Sequence, residues 1–318
     1  MKLHQACDEF LTHCRVSKNL SVHTLRAYTI DLQEFRTFAG DDSGVAEIDR
    51  QCLRGFLRHL FDVRKLKETS VKRRLACVKV MFRWLELDEV ISISPFHRLD
   101  ARIRMPRKLP RCLSRDESNR LQAEPAQRLG LASLAPDAID RAIPGAALND
   151  LTTLVAIEVL LATGVRVGEL AAIQRDDIDL LQGVVTINGK GNRQRRVFLT
   201  DATMVALVQA YLNARKQAHP TSSAFLVTSR GRPASPQFLR KLVREAGQAA
   251  ELPRRTTPHM LRHTAAIQLL EAGVDIRFVQ RLLGHQSIST TEGYTSVSDG
   301  SLKTVITEAR EKMGKMKR

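Results

Sequence analysis

Leu283-Gly-His-Gln-Ser-Ile-Ser-Thr-Thr-Glu-Gly-Tyr-Thr295 places Tyr294 nine positions after His285, and twenty-six residues before that histidine the chain reads His259-Met-Leu-Arg262-His263. Two histidines, an arginine and a tyrosine in this order suit the gripping of a phosphate beside a phenolic nucleophile. A phenol (pKa ~10 when unperturbed) attacks a phosphodiester well only if it loses its proton while cations absorb the charge growing on the phosphoryl oxygens. The chain has only 3 tyrosines, so the remaining parts of such a site are worth seeking elsewhere.

Around this stretch the local signals are helical. Thr257-Pro258 is a helix start, a capping Thr followed by Pro at the first helical position, where its missing N–H costs nothing. The helix is expected to run to about Ala272, with Gly273 closing it. His259 then lies in the first turn and Arg262 shares its face. A phosphate there meets free backbone N–H groups, the positive end of the helix dipole and a guanidinium able to hold two oxygens. The same dipole disfavours imidazolium, which favours a neutral His259 able to accept a proton. A second helix, capped by Asp275 and closed by Gly284, leaves His285 just past its end. His259 and His263 also have the i, i+4 spacing of zinc ligands. The Met-Leu-Arg between them lacks the glutamate of a zinc hydrolase, and an arginine on that face repels a cation. No metal site is expected, and His263 is read as packing against or bracing the site.

Upstream, a strongly apolar helix over 151–163 ends at Gly164, and Thr163-Gly-Val-Arg166-Val-Gly-Glu169-Leu places an arginine in the following turn. A charge there is out of place unless it faces a cleft, and Glu169 can hold its guanidinium. A purely structural salt bridge is the alternative. Val184-Val-Thr-Ile-Asn188 and Arg195-Arg-Val-Phe-Leu199 read as strands flanking Gly189-Lys190-Gly191-Asn192, a hairpin with a lysine at its turn. From Asp201 onward the pattern is helical again. The stretch 124–149, rich in Ala, Leu and Pro, has weak periodicity and carries no assigned chemistry.

Residues 1–100 read as helices only. Ser21 caps a helix with Leu25, Tyr28, Leu32, Phe35 and Phe38 at three- and four-residue steps. Another, starting at Ser70, has Val71, Leu75, Val78, Phe82 and Leu85 as its stripe and Lys72, Arg73, Lys79 and Arg83 off it. Those four are candidate DNA contacts or, equally, a solvated face. Prolines 95, 106 and 110 amid Arg102, Arg104, Arg107, Lys108 and Arg111 mark a basic linker at 101–112, with Arg107 and Lys108 also candidate DNA contacts. Ser114 is a cap candidate for the next helix.

The 318 residues suit two domains, and 43% hydrophobic content is that of a globular protein. The net charge of +16 is spread evenly: 22 basic against 14 acidic residues in 1–112, and 28 against 20 in 113–318. Both parts are therefore suited to a polyanion such as DNA. The five cysteines show neither Cys-x-x-Cys pairing nor zinc spacing, and no apolar run approaches the ~20 residues of a membrane span. The N-terminus lacks the apolar core of a signal peptide. A cytoplasmic, nucleoid-associated protein with no membrane partner is expected.

Together these motifs resemble the tyrosine site-specific recombinases, the phage-integrase family, and most closely its Xer-type branch. The match rests on 163–170, Gly189-Lys190-Gly-Asn, His259-x-x-Arg262-His263, Leu283-Gly-His285 and Tyr294, and on Ser21-x-His-Thr-Leu-x-x-Tyr in the first half. The resemblance implies two domains forming a C-shaped clamp on DNA. One is an all-α, SAM-like core-binding domain over 1–100. The other is a mixed α+β catalytic domain over 113–318, mainly helical with a small antiparallel sheet. It also implies roles. Tyr294 attacks to give a 3′-phosphotyrosyl link, and Arg166 and Arg262 hold the non-bridging oxygens. Lys190 protonates the departing 5′-oxygen, His259 takes the phenolic proton and His285 donates to a phosphoryl oxygen.

No cofactor, metal or ATP is implied. The partners would be duplex DNA with inverted-repeat half-sites and three further copies in a tetramer on synapsed DNA (monomer or dimer when free), with a partner recombinase as the alternative to some of those copies. The chain's role in a mobile element is left open, as is integration against resolution. The stretch 124–149 is longer than the short connection expected of Xer-type relatives. In the tail over 296–318, Leu302, Val305, Ile306, Ala309 and Met313 form a stripe, which the resemblance would dock into a neighbouring protomer. A type IB topoisomerase and a non-catalytic DNA-binding protein are the competing readings.

Overall fold

The computed structural model describes residues 1–97, 99, 103, 112–131, 135–142, 147–189, 194–284 and 299–315. The chain divides into two compact units, Met1–Lys108 and Leu109–Arg318. The linker expected at 101–112 lies, apart from Ile103 and Cys112, outside the described residues, as do Arg107, Lys108, Lys190, His285 and Tyr294.

Unit 1 is built of α1 (Leu3–Val16), α2 (Val22–Ala39), α3 (Arg50–Arg58) and α4 (Glu68–Leu87). Ser21 caps α2 by accepting from the Thr24 N–H, and Asp49 caps α3 by accepting from the Cys52 N–H. The apolar stripes meet in one core containing Leu3, Phe10, Leu32, Phe35, Phe56, Val78 and Phe82. Phe35 and Phe56 pack edge to face with ring centres 4.9 Å apart, a geometry that aromatic quadrupoles favour. One boundary differs from the sequence reading. α4 starts at Glu68, with Lys67 extended before it, and Ser70 lies inside the first turn, where its N–H already donates to the Lys67 carbonyl.

Unit 2 continues with α5 (Arg115–Arg128), α6 (Pro136–Ala142), α7 (Leu148–Thr163), α8 (Val167–Ala172), β1 (Ile178–Asp179), β2 (Val184–Asn188), β3 (Gln194–Phe198), α9 (Ala202–Lys216), α10 (Pro236–Ala249), α11 (Pro258–Glu271), α12 (Ile276–Leu283) and α13 (Asp299–Lys315). The strands form an antiparallel sheet in the order β1-β2-β3, with Val184 opposite Phe198 and Asn188 opposite Gln194. The two-residue β1 has too few residues to show alternation, and the sequence reading omitted it. α5 runs past Pro125 to Arg128, further than a helix breaker suggests, because it is packed on α7. In the stretch of weak periodicity, α6 packs on α9 and contributes the fully buried Ile139.

α7 is the centre of unit 2, buried almost all round and packed by α5, α9, α10 and α11, as expected of a helix apolar on every face. It stops at Gly164, whose φ of 64° is left-handed. A side chain there would also bring its Cβ within 2.5 Å of Leu283 Cδ2. The left-handed φ is what favours glycine here, since Leu283 Cδ2 is the end of a side chain that could shift.

The tail helix α13 lies on its own unit, with Ile306 and Ala309 buried and Val305 and Met313 packed on the core. The stripe expected to dock into a neighbour is satisfied here in cis, since a helix this short has to bury its apolar face somewhere. Among the described residues no helix is long and apolar enough to cross a membrane.

Candidate active site

The site gathers where helix ends converge. α11 begins at Pro258, with Thr257 accepting from the Met260 N–H. This brings His259 and Arg262 to the ends of α7 and α12. Arg262 is 5% exposed. Its Nη1 donates to the Gly164 carbonyl at 2.7 Å and its Nη2 to the Leu283 carbonyl at 2.8 Å. Each acceptor sits at a helix C-terminus, the negative end of the dipole, which offsets part of the cost of burying the charge. Burial, helped by the nearby Arg166 charge, lowers the Arg262 pKa to about 10, so the side chain remains a cation at neutral pH. Guanidinium terminal nitrogens carry two N–H groups each, leaving further donors for a ligand.

Arg166 is the N-cap of α8. Its backbone N–H donates to Glu169 at 2.8 Å, its Nη1 to the same carboxylate at 2.9 Å, and its Nη2 to the Gly284 carbonyl at 3.4 Å. Glu169 has a second partner, Arg195 of β3, which donates Nη1 at 3.1 Å and Nη2 at 2.7 Å, while Arg195 Nε holds the Leu282 carbonyl at 2.9 Å. Burial alone would raise the Glu169 pKa. The Arg195 hydrogen bonds and the Arg166 N–H outweigh it and hold the carboxyl below the usual carboxylate range. One carboxylate thus ties the α7–α8 turn, the hairpin and the end of α12 together.

His263 Nε2 and His259 Nε2 are 3.0 Å apart, so one ring donates and the other accepts. Burial, His259 and the Arg262 charge lower the His263 pKa, which suits the neutral partner in that bond.

Arg166, Glu169, Arg195, Arg240, Arg255, His259, Arg262 and Arg281 line a cleft of about 1150 Å³. Among its lining residues six arginines face one carboxylate. The sequence reading named Arg166, Glu169, His259 and Arg262 but missed Arg195, Arg240, Arg255 and Arg281. In a chain with 50 Lys+Arg nothing local marks these four.

The other two tyrosines have structural work. Tyr211 is fully buried, with its hydroxyl 3.2 Å from Thr152 Oγ1 and accepting from the Val227 N–H at 2.9 Å. Tyr28 stacks on Phe10 at 6.0 Å, and burial raises its pKa. In unit 1, Lys72, Lys79 and Arg83 are exposed on α4. Arg73 is exposed too but is ion-paired with the fully buried Asp31, so that charge is partly committed to holding α4 on α2.

Residues 133–300 match the phage integrase family, and residues 7–89 match the phage integrase N-terminal SAM-like domain. The chain therefore belongs to the phage integrase family, as a tyrosine recombinase of the Xer type. A tyrosine recombinase XerC of Pelotomaculum thermopropionicum is 32% identical, over 94% of this chain and 95% of the relative. A tyrosine recombinase XerD of Staphylococcus epidermidis is 30% identical, over 95% and 97%. The solved structure of the Tn1549 transposon integrase in complex with transposon right end DNA covers 100% of both chains at a TM-score of 0.69 and 17% identity, a likeness of fold.

Proposed function

We propose that this chain recombines duplex DNA at specific sites by a transesterification for which Tyr294 is the nucleophile. The phenolic oxygen bonds to the scissile phosphorus as the bond from phosphorus to the 5′-oxygen breaks, leaving a 3′-phosphotyrosyl link. The phenolic proton passes to His259, and Lys190 supplies a proton to the departing oxygen, giving a free 5′-hydroxyl. Arg166 and Arg262 hold the non-bridging oxygens and His285 donates to one of them. Attack by a 5′-hydroxyl from another duplex reverses the steps and exchanges strands through a four-way junction. The link keeps the energy of the original ester, so the cycle consumes no ATP and asks no metal to activate the nucleophile.

The observation that carries this reading is the cleft in which, among the described residues, six arginines face one carboxylate, Glu169. Two of them, Arg166 and Arg262, are fixed by helix-terminal carbonyls before any ligand arrives. Such preorganised cations stabilise a pentacovalent phosphoryl group without reorganising as charge develops. The structural commitments of Tyr28 and Tyr211 support Tyr294 as the attacking group.

The substrate is duplex DNA with inverted half-sites, held by a tetramer of this chain on synapsed sites or jointly with a partner recombinase. Lys72, Lys79, Arg83, Arg107 and Lys108 contribute phosphate contacts in unit 1 and the linker, and the reaction takes place in the cytoplasm on the nucleoid.

The test is strand exchange between two synthetic sites in EDTA without nucleotide. Recombinant products are expected. A strict magnesium requirement for strand cleavage would refute the chemistry, and relaxation of plasmid lacking any special site would point to a topoisomerase.

A further inference from the structure

We infer that Arg310 is a positioning residue through which the tail helix α13 sets the placement of Arg166. The inference rests on the reading of Arg166 as a phosphate ligand and adds a residue outside the cleft.

The last carbonyls of any α-helix lack intrahelical donors. In α7 they are satisfied one by one. Leu160 accepts from the Gly164 N–H. Leu161 accepts from Arg310 Nη2 at 2.8 Å, and the same nitrogen donates to Ala162. Gly164, just past the helix, accepts from Arg262. Two guanidinium groups from different helices therefore cap the one helix end from which the chain turns, through the fully buried Val165, into Arg166. One belongs to the proposed catalytic set. The other comes from the tail.

The Nε of Arg310 is buried without a hydrogen-bond partner. Burial lowers the Arg310 pKa to about 10 against the opposing pull of the nearby Asp201 and Glu158 carboxylates, and the hydrogen bonds of its Nη2 go to the α7 carbonyls. Placing a cation among apolar tail positions is costly; the α7 terminus, with its negative dipole end, and the Asp201 and Glu158 carboxylates offset that cost. α13 also packs on α11 and β3, which carry Arg262 and Arg195. Seating or lifting the tail thus changes how firmly the α7–α8 turn is held. The other five cleft arginines and His259 lie outside that turn.

The experiment compares single-turnover cleavage of a scissile phosphate with that of a scissile methylphosphonate, in which a methyl group replaces one charged oxygen. The neutral centre depends less on cations at the non-bridging positions. Arg310→Met should slow cleavage of the phosphate by roughly tenfold, a usual cost of losing a well-placed helix-terminal cation, and that of the methylphosphonate by no more than about twofold. Half-site binding should be unchanged, and Arg310→Lys should recover most of the rate. If Arg310→Met does not fold, Arg310→Gln, which keeps a neutral donor, carries the same comparison. Equal slowing on both substrates, or wild-type rates on both, would overturn the inference. If Arg166→Ala itself loses equally on both, the phosphate-binding role of Arg166 falls, and this inference with it.

Discussion

Replacing Glu169 by Gln should cost unit 2 a measurable part of its stability while leaving DNA binding intact. The carboxylate is 9% exposed and accepts two hydrogen bonds from Arg195, itself 14% exposed. Removing one member of such a buried pair commonly costs ~3–5 kcal/mol, and because glutamine retains a neutral acceptor the expected loss is about 2–3 kcal/mol. The Arg166 guanidinium is 49% exposed, so its ion pair with Glu169 is discounted to ~0.5 kcal/mol or less.

For a unit of this size each kcal/mol moves the melting point by ~2–4 °C, so the shift should be roughly 5–10 °C. The lone Trp84 lies in unit 1. Tryptophan fluorescence should therefore melt unchanged while the far-ultraviolet helix signal of unit 2 melts earlier. The pH dependence has a definite sign. The folded-state pKa of Glu169 lies below the ordinary value of a glutamate. Its contribution is therefore present above that value and lost as the pH falls through the folded pKa. The Gln variant should lack that part of the acid destabilisation. Half-site binding should hold or tighten, since the cleft loses the one carboxylate among its described lining residues, whereas cleavage should slow as Arg166 loses its brace. Unchanged melting together with a full cleavage rate would refute this account of Glu169.

Lys190→Ala should reduce cleavage by ~10²–10⁴, the usual value of a general acid, with little effect on binding. A 5′-bridging sulfur, which departs without a proton, should restore much of that rate. Rescue of Arg262→Ala instead of Lys190→Ala would misplace the acid. If the tail docks into a neighbouring protomer rather than in cis as it lies here, deleting residues 300–318 should spare binding of one protomer to one half-site and abolish cooperative filling of the second, besides slowing cleavage through the loss of Arg310. A gel-shift titration that remains cooperative would mean the tail serves only its own unit, as it is packed here. Raising salt should weaken binding with a slope of about 0.9 in log K per phosphate neutralised, and a flat salt response would remove the electrostatic reading of the basic surface.

Much of this was legible in the sequence because helix ends are written locally. Ser21, Thr257-Pro258, Asp275, Gly164 and Gly284 act through their own backbone geometry, and their side chains or missing side chains announce it. The hairpin of β2 and β3 was legible from alternation on both sides of a glycine-rich tip. Arg195 was not. Its partner Glu169 lies 26 residues earlier, and only the hairpin's packing on α8 and α12 brings the two together. Arg310 was hidden for a related reason. The periodicity of α13 shows that a stripe exists, but which surface receives it is a tertiary matter. An arginine beside that stripe reads as solvated until the uncapped end of α7 is seen beneath it.

The central claim is that Tyr294 becomes joined to DNA, and peptide mapping of the trapped adduct tests it most directly. A suicide substrate nicked beside the scissile phosphate releases its short 5′-hydroxyl strand and strands the covalent intermediate. Tryptic cleavage after Arg281 and Lys303 should then isolate the phosphotyrosyl nucleotide on the 282–303 peptide, whose one tyrosine is Tyr294. The account predicts that adduct in EDTA, on the 3′ side of the break, and its complete loss in Tyr294→Phe with binding retained. An adduct that persists in Tyr294→Phe, or one that maps to a peptide carrying Tyr28 or Tyr211, would contradict it.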